Sequence, residues 1–293
     1  MTLYRIALLL ACAASLAACG GRLEHMRQLS AQAGFSECLA HTERFPHRLF
    51  LNLRGGPTQQ RLHVYLEGDG SPWLNRRVIA ADPTPRRPLM LELMTLDPGP
   101  SVYLGRPCYH GLADAPGCGA RQWTSGRYAE EVIDSLETVL RDLMERHGFD
   151  RLDLFGHSGG GTLAVLLGER LAERTDTIVT LAGNLDVAAW SAHHGFSPLH
   201  ASLDPAKRPP LPPAIRQRHY AAAQDRNVPP AVVQPYFRRR DLPVTVIDEF
   251  DHACCWQRIW PSILKEMKSQ AEASRRVTPA ARLDNPGTPN PEW

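Results

Sequence analysis

Leu152-Asp153-Leu154-Phe155-Gly156-His157-Ser158-Gly159-Gly160-Gly161-Thr162-Leu163-Ala164-Val165-Leu166-Leu167 decides the fold. Its first four residues read as a short buried strand and its last seven as the opening of an apolar helix. Between them a serine stands in the pattern G-x-S-x-G. A chain that passes from strand to helix this abruptly holds the serine in a strained backbone at the tip of the turn. Side chains at Gly156 and Gly160 would strike the strand and helix on either side. The stretch therefore predicts a serine hydroxyl raised at the positive end of a helix, where developing negative charge is favoured.

On either side, short apolar runs alternate with helical patterns, the signature of a parallel sheet with crossover helices. The runs cover 62–66, 102–104, 152–155, 178–181, a weaker one over 218–223, and 244–247. Residues 49–53 supply an earlier antiparallel edge strand. Val132, Leu136, Val139, Leu140, Leu143 and Met144 recur at helical spacing, with Gly148 as the cap. Trp256, Ile259, Trp260, Ile263, Leu264 and Met267 form a second stripe, and Pro261 either kinks that helix or lies in its first turn. Leu23, Met26, Leu29 and Ala33 suit an amphipathic helix from Arg22 to about Ala40. The proline-rich stretches 82–88 and 207–213 read as loops, and 273–293, polar and aperiodic from Thr278, as a disordered tail.

The 293 residues, 43% of them hydrophobic, suffice for one large α/β domain. A formal charge of +2, with arginines in isolated clusters at 76–77, 86–87 and 238–240, excludes a strong global field and argues against a nucleic-acid partner. Arg5 followed by the apolar run 6–18 is too short to span a bilayer comfortably and reads as a signal peptide over 1–18. Leu16-Ala17-Ala18-Cys19-Gly20 resembles the lipobox of bacterial lipoproteins, which implies cleavage before Cys19 and lipidation of that cysteine. The alternative is a plain signal peptide cut after one of the alanines. Several acyl chains on one residue hold a protein stably on a membrane, and Gly20 in place of Asp implies, by the same resemblance, the outer membrane facing the periplasm. Segment 19–44, with its short helix, would then lead from the anchor to a domain over 45–272.

Of seven cysteines, Cys12 departs with the signal peptide and Cys19 is the lipidation site. In an oxidising compartment Cys108 and Cys118, flanking a loop with glycine and proline, are the expected disulfide. Pairing of Cys38, Cys254 and Cys255 stays open. His252 with Cys254 and Cys255 lacks the second ligand pair that a metal site requires, so no metal is expected.

The central stretch also resembles the nucleophile elbow of the α/β-hydrolases, in which an acid and a histidine follow the serine in that order, each after a later strand. Asp225, in Gln224-Asp225-Arg226-Asn227-Val228-Pro229, looks like the family's D-x-x-V-P turn, with Asp248 and Asp251 as substitutes. His252 stands after the last strand. The resemblance implies Ser158 as nucleophile, His252 as base, Asp225 as the residue that orients it, and no cofactor. It also implies an oxyanion hole built from the N–H of Gly159 and a donor in Glu67-Gly68-Asp69-Gly70, on Asp69 or one step on at Gly70. Carboxylates at Glu67 and Asp69 depart from the family pattern and would oppose an oxyanion unless paired, with Arg106 or Arg121 as partner. From about Phe45 to Met267 the chain is similar to bacterial α/β-hydrolase lipoproteins. A small cap over 184–213, carrying Trp190, Phe196 and Leu199, suits an acyl ester of small to medium size. An amidase, peptidase or thioesterase with the same triad, or a non-catalytic membrane-anchored binding lipoprotein, are the competing readings.

Overall fold

A computed structural model describes residues 21–54, 60–75 and 77–277, with side chains to residue 270. The expected signal peptide, Cys19 and residues 278–293 lie outside the described residues. Residues 21–33 form helix α1, which ends at Gly34 in a left-handed conformation with φ +70°. The helix expected to reach Ala40 is therefore cut short, and Ser36–His41 is strand β1. It pairs antiparallel with β2 (Pro46–Asn52), so β2 lies second in the sheet and β1 takes the edge once expected at 49–53. The sheet accordingly includes residues before 45. Glu37 on β1 is bound by both Arg27 of α1 and Arg48 of β2.

The chain continues through β3 (Arg61–Leu66), a small ribbon of β4 (Trp73–Leu74) and β5 (Val78–Ile79), α2 (Leu89–Met94) and β6 (Ser101–Leu104). Then come α3 (Glu130–His147), β7 (Arg151–His157), α4 (Gly159–Arg170), β8 (Thr175–Leu181) and α5 (Val187–His193). It closes with β9 (Arg216–Ala222), α6 (Pro230–Arg240), β10 (Val244–Ile247) and α7 (Trp260–Val277). Eight strands form one sheet in the order β1-β2-β6-β3-β7-β8-β9-β10. From β6 to β10 every pairing is parallel. Pro261 lies in the first turn of α7, where its missing N–H costs no helical bond, and α7 extends to Val277, five residues into the expected tail.

Strand residues alternate between two cores, as a period of two requires. Leu62, Val64, Leu66, Leu152 and Leu154 pack with the apolar stripe of α3 and with α4, α5 and α6 on one face. Tyr65 and Phe155 pack on the other face with Met26 of α1, the buried α2, Trp256 in the turn before α7, and Trp260 and Ile263 at the start of α7. The apolar runs read from the sequence thus each fall on a strand, with helices covering both faces.

Parallel strands β3, β7, β8, β9 and β10 all end at the same sheet margin, which is where such sheets place their sites. At that margin the strand β3 lies against the start of α4 with no space to spare. A Cβ on Gly160 would come within 2.0 Å of the Leu66 carbonyl oxygen, and one on Gly156 within 2.2 Å of the Gly160 oxygen. Gly160→Ala should therefore cost about 3 kcal/mol through backbone displacement. Gly148→Ala, at φ +69° with nothing within 4 Å, should cost only about 1 kcal/mol of conformational strain. Urea unfolding of the two variants checks the difference.

Candidate active site

Ser158 joins β7 to α4 with φ 53° and ψ −121°, a conformation a serine adopts only when its surroundings enforce it. Its N–H donates to the Leu181 carbonyl, and its own carbonyl accepts from Gly161 and Asn184, each at 3.0 Å. The end of β8 thus fixes both sides of the turn. The residue is 8% exposed and lines a cavity of about 890 Å³.

Asp225 and His252 follow β9 and β10 onto the same margin. Asp225 Oδ1 accepts the N–H groups of Asn227 and Val228 at 2.7 and 2.8 Å, which anchors the turn and leaves Oδ2 for His252 Nδ1 at 2.7 Å. Burial alone would raise the Asp225 carboxyl. The hydrogen bond and charge of His252, with the two backbone N–H groups, outweigh it and hold the group below its ordinary range. A carboxylate on Nδ1 fixes the proton there, so His252 Nε2 is the nitrogen with a free lone pair. His252 and Ser158 line the same cavity. No hydrogen bond joins them in this structure, and such bonds commonly tighten only around substrate. Asp251, one of the substitute acids, is turned onto the N–H groups of Ala253 and Cys254. Asp248 meets Gln224 only through its carbonyl.

The conflict at Glu67 and Asp69 is resolved by neighbours the sequence only partly revealed. Asp69 is clasped by Arg106 at 2.6 Å, Arg127 at 2.8 Å and the Tyr128 hydroxyl at 2.6 Å. Arg121 is engaged by Glu131 instead. Burial pushes the Asp69 carboxyl up, yet the guanidinium groups of Arg127 and Arg106 and the Tyr128 hydroxyl outweigh it and bring it down to about 2. Glu67 is buried and accepts from the N–H groups of Met90 at 3.0 Å and Gly68 at 3.1 Å. Burial dominates those bonds and raises Glu67 to about 7. Two arginines thus face one full carboxylate and one partly neutral acid, and the loop no longer opposes an anion. The Tyr109 hydroxyl holds the Asp69 carbonyl at 3.1 Å, and a disulfide between Cys108 and Cys118 closes the loop that carries Tyr109.

This clasp explains the glycine after the serine. A Cβ on Gly159 would come within 2.1 Å of Asp69 Oδ1 and 2.4 Å of the Tyr128 hydroxyl. Gly68 passes close enough that its own Cβ would sit 3.3 Å from Ser158 Cβ. Among the described residues, the N–H groups of Gly159 and Asp69 have no acceptor. Gly70 turns away at φ +67° against the Pro83 carbonyl.

Three further side chains, those of His157, Arg127 and Tyr128, escaped sequence reasoning. His157 Nε2 donates to the His252 carbonyl at 2.7 Å, and Trp256 Nε1 donates to the same oxygen at 3.2 Å. Burial, then the nearby His252, push the His157 imidazole down to about 3, so His157 is a neutral donor that positions the His252 loop. Arg127 and Tyr128 stand in a stretch without periodicity and gave no signal. Cys254 and Cys255 stand side by side beside this loop with their sulfur atoms in contact, and Cys38 is free and exposed.

No family model matches the chain and no curated protein resembles it detectably. Solved structures do. A lipase candidate from Acinetobacter baumannii superposes with TM-score 0.56 at 12% identity, covering 86% of this chain and 97% of that one. The chain has the α/β-hydrolase fold. A serine hydrolase without a lid from Xanthomonas campestris gives TM-score 0.51 at 13% identity, over 84% and 96% of the two chains. A membrane phospholipase A described as a bacterial virulence factor gives 0.52 at 16%, over 93% and 98%.

Removing the clasp's charge tests its structural weight. Asp69→Asn leaves Arg106 and Arg127 buried without a counter-charge and should cost about 3–5 kcal/mol at pH 7. The folded Asp69 value of about 2 lies below its ordinary 3.8. The contribution is therefore complete above about pH 4 and is lost as pH falls through about 2. Denaturation measured from pH 7 to 2 should show wild type and variant converging at the acid end.

Proposed function

We propose that this α/β-hydrolase-fold chain is a serine hydrolase that cleaves acyl esters through an acyl-enzyme on Ser158. The observation that carries the reading is the His252–Asp225 hydrogen bond at 2.7 Å on the margin where the strained Ser158 opens into the same cavity. In the acylation step, Ser158 Oγ forms a bond to the ester carbonyl carbon while His252 Nε2 takes its proton. Asp225 stabilises the resulting imidazolium. The negative charge that develops on the carbonyl oxygen is received by the N–H groups of Gly159 and Asp69. Collapse breaks the bond to the alkoxy oxygen, which leaves as an alcohol with the proton from His252. Water, deprotonated by the same nitrogen, then releases the acid and restores Ser158.

The structural neighbours, a lipase candidate, a serine hydrolase and a phospholipase A, support ester chemistry. A cavity of about 890 Å³ lined by Trp73, Leu89, Trp190, Phe196 and Leu199 has room for an acyl chain of small to medium length. In the cell envelope of a bacterium, lipidation of Cys19 would tether the enzyme to the periplasmic face of a membrane. No helix among the described residues is long and apolar enough to cross one.

A fluorophosphonate probe should label Ser158 in the folded protein, and Ser158→Ala should abolish labelling. An unlabelled wild type would sink the reading. Asp225→Asn, which mis-sets the His252 tautomer, should lower kcat on a p-nitrophenyl ester by about 10⁴-fold, while Asp248→Asn leaves it within about twofold. Cys19→Ala should move the protein from the membrane fraction to the soluble fraction of disrupted cells.

A further inference from the structure

Eight large apolar side chains are exposed among the described residues, and four of them, Trp73, Leu74, Val78 and Ile79, form the β4–β5 ribbon. Trp73 faces Ile79 and Leu74 faces Val78 across the register. Because successive strand residues point to opposite faces, both faces of the ribbon are apolar. A ribbon of this size has little stability alone in water, and here its base is pinned. Ala80 N–H donates to the Pro72 carbonyl at 3.0 Å, Ser71 N–H to that of Pro83 at 2.8 Å, and Trp123 Nε1 to that of Ala80 at 3.1 Å. The protein thus holds out a concentrated apolar surface rather than burying it.

Its position is as telling as its composition. Ser71, Pro72 and Trp73 line the cavity that contains Ser158, and so do the exposed Phe196 and Arg86. Arg77 in the ribbon turn and Arg86 are exposed and have no carboxylate partner among the described residues. The neighbouring acids are engaged elsewhere: Glu92 is paired with Arg87, and Asp82 accepts from the N–H and hydroxyl of Thr84. Arg22, at the start of α1, donates to the Thr84 carbonyl at 2.7 Å, which places the N-terminal end of the described chain beside the same rim. Two residues, Gly20 and Gly21, stand between Cys19 and Arg22, so the three steps reach at most about 11 Å.

We infer that the β4–β5 ribbon docks the cavity mouth onto an anionic phospholipid bilayer, so that substrate enters from the membrane surface. The apolar ribbon enters the boundary between headgroups and acyl chains, and Arg77 and Arg86 meet the phosphates. The inference deepens the ester-hydrolase reading by assigning the source of its substrate. A lipid on Cys19 would emerge on the same side and hold the mouth against the surface from which it feeds.

In a Trp293→Phe background, which removes the tryptophan outside the described residues, Trp73 makes the contact readable without catalysis, since Trp123, Trp190, Trp256 and Trp260 are all buried. The full chain is mixed with vesicles of phosphatidylglycerol, or of phosphatidylcholine, carrying bromines on the acyl chains. Quenching of tryptophan emission should be stronger on phosphatidylglycerol and largely absent in Trp73→Phe. In parallel, Leu74→Ser with Val78→Ser should lower the rate on a vesicle-borne ester, relative to the same variant's rate on a dissolved p-nitrophenyl ester, by about tenfold or more. Failure to bind vesicles, binding without Trp73-dependent quenching, or an unchanged rate ratio overturns the inference. A dimer that the Leu74→Ser, Val78→Ser pair converts to monomer also overturns it, because the ribbon's occupant is then a second copy. Quenching that depends on Trp73 in a chain inactive on dissolved ester upholds the docking and strikes only the hydrolase reading.

Discussion

Asp69 between Arg106 and Arg127 is the interaction on which the serine site depends. Two buried guanidinium groups each lie within hydrogen-bonding distance of one carboxylate, and losing that carboxylate leaves both of them without a counter-charge where water does not readily reach. The clasp fixes the loop after β3 over the turn at Ser158 and leaves the Asp69 N–H without an internal acceptor. It also fills the space beside the first residue of α4, which is why only a glycine fits there. A loop that by sequence looks hostile to an anion becomes, by pairing, a rigid and locally cationic wall.

The same constraint ties the two halves of the chain together. The clasp draws on the loops after β3, after β6 and before α3, while Asp225 and His252 come from the last two crossings of the sheet. Ser158 sits where these halves meet, held on one side by the Leu66 carbonyl packed on Gly160 and on the other by the end of β8. The imidazole loop is secured through its backbone, by His157 and Trp256 on one carbonyl oxygen. Precision in this site comes mostly from main-chain contacts around the turn.

Much of this was legible from the residues. The strand and helix cores carry strong periodicity, and the glycines of the turn report a backbone that tolerates nothing larger. Asp225 and His252 could be placed because each closes an apolar run. What failed to show follows physical reasons. β1 has a mostly exposed, polar pattern and owes its conformation to pairing with β2, so local sequence made it look like the end of a helix. Arg127 was invisible because its role is set by Asp69, which lies 58 residues away in sequence. The β4–β5 ribbon is too short for any periodicity to register.

The two margins of the eight-stranded sheet carry a consequence of their own. β1 offers unpaired backbone groups over six residues and β10 over four, lengths that give an incoming strand little to template on. At the longer edge Glu37 is locked between Arg27 and Arg48, so a strand adding there must pass a fixed cluster of charge. The sheet thus ends on short edges, the longer of them guarded by charge, which is a feature that disfavours pairing with another chain.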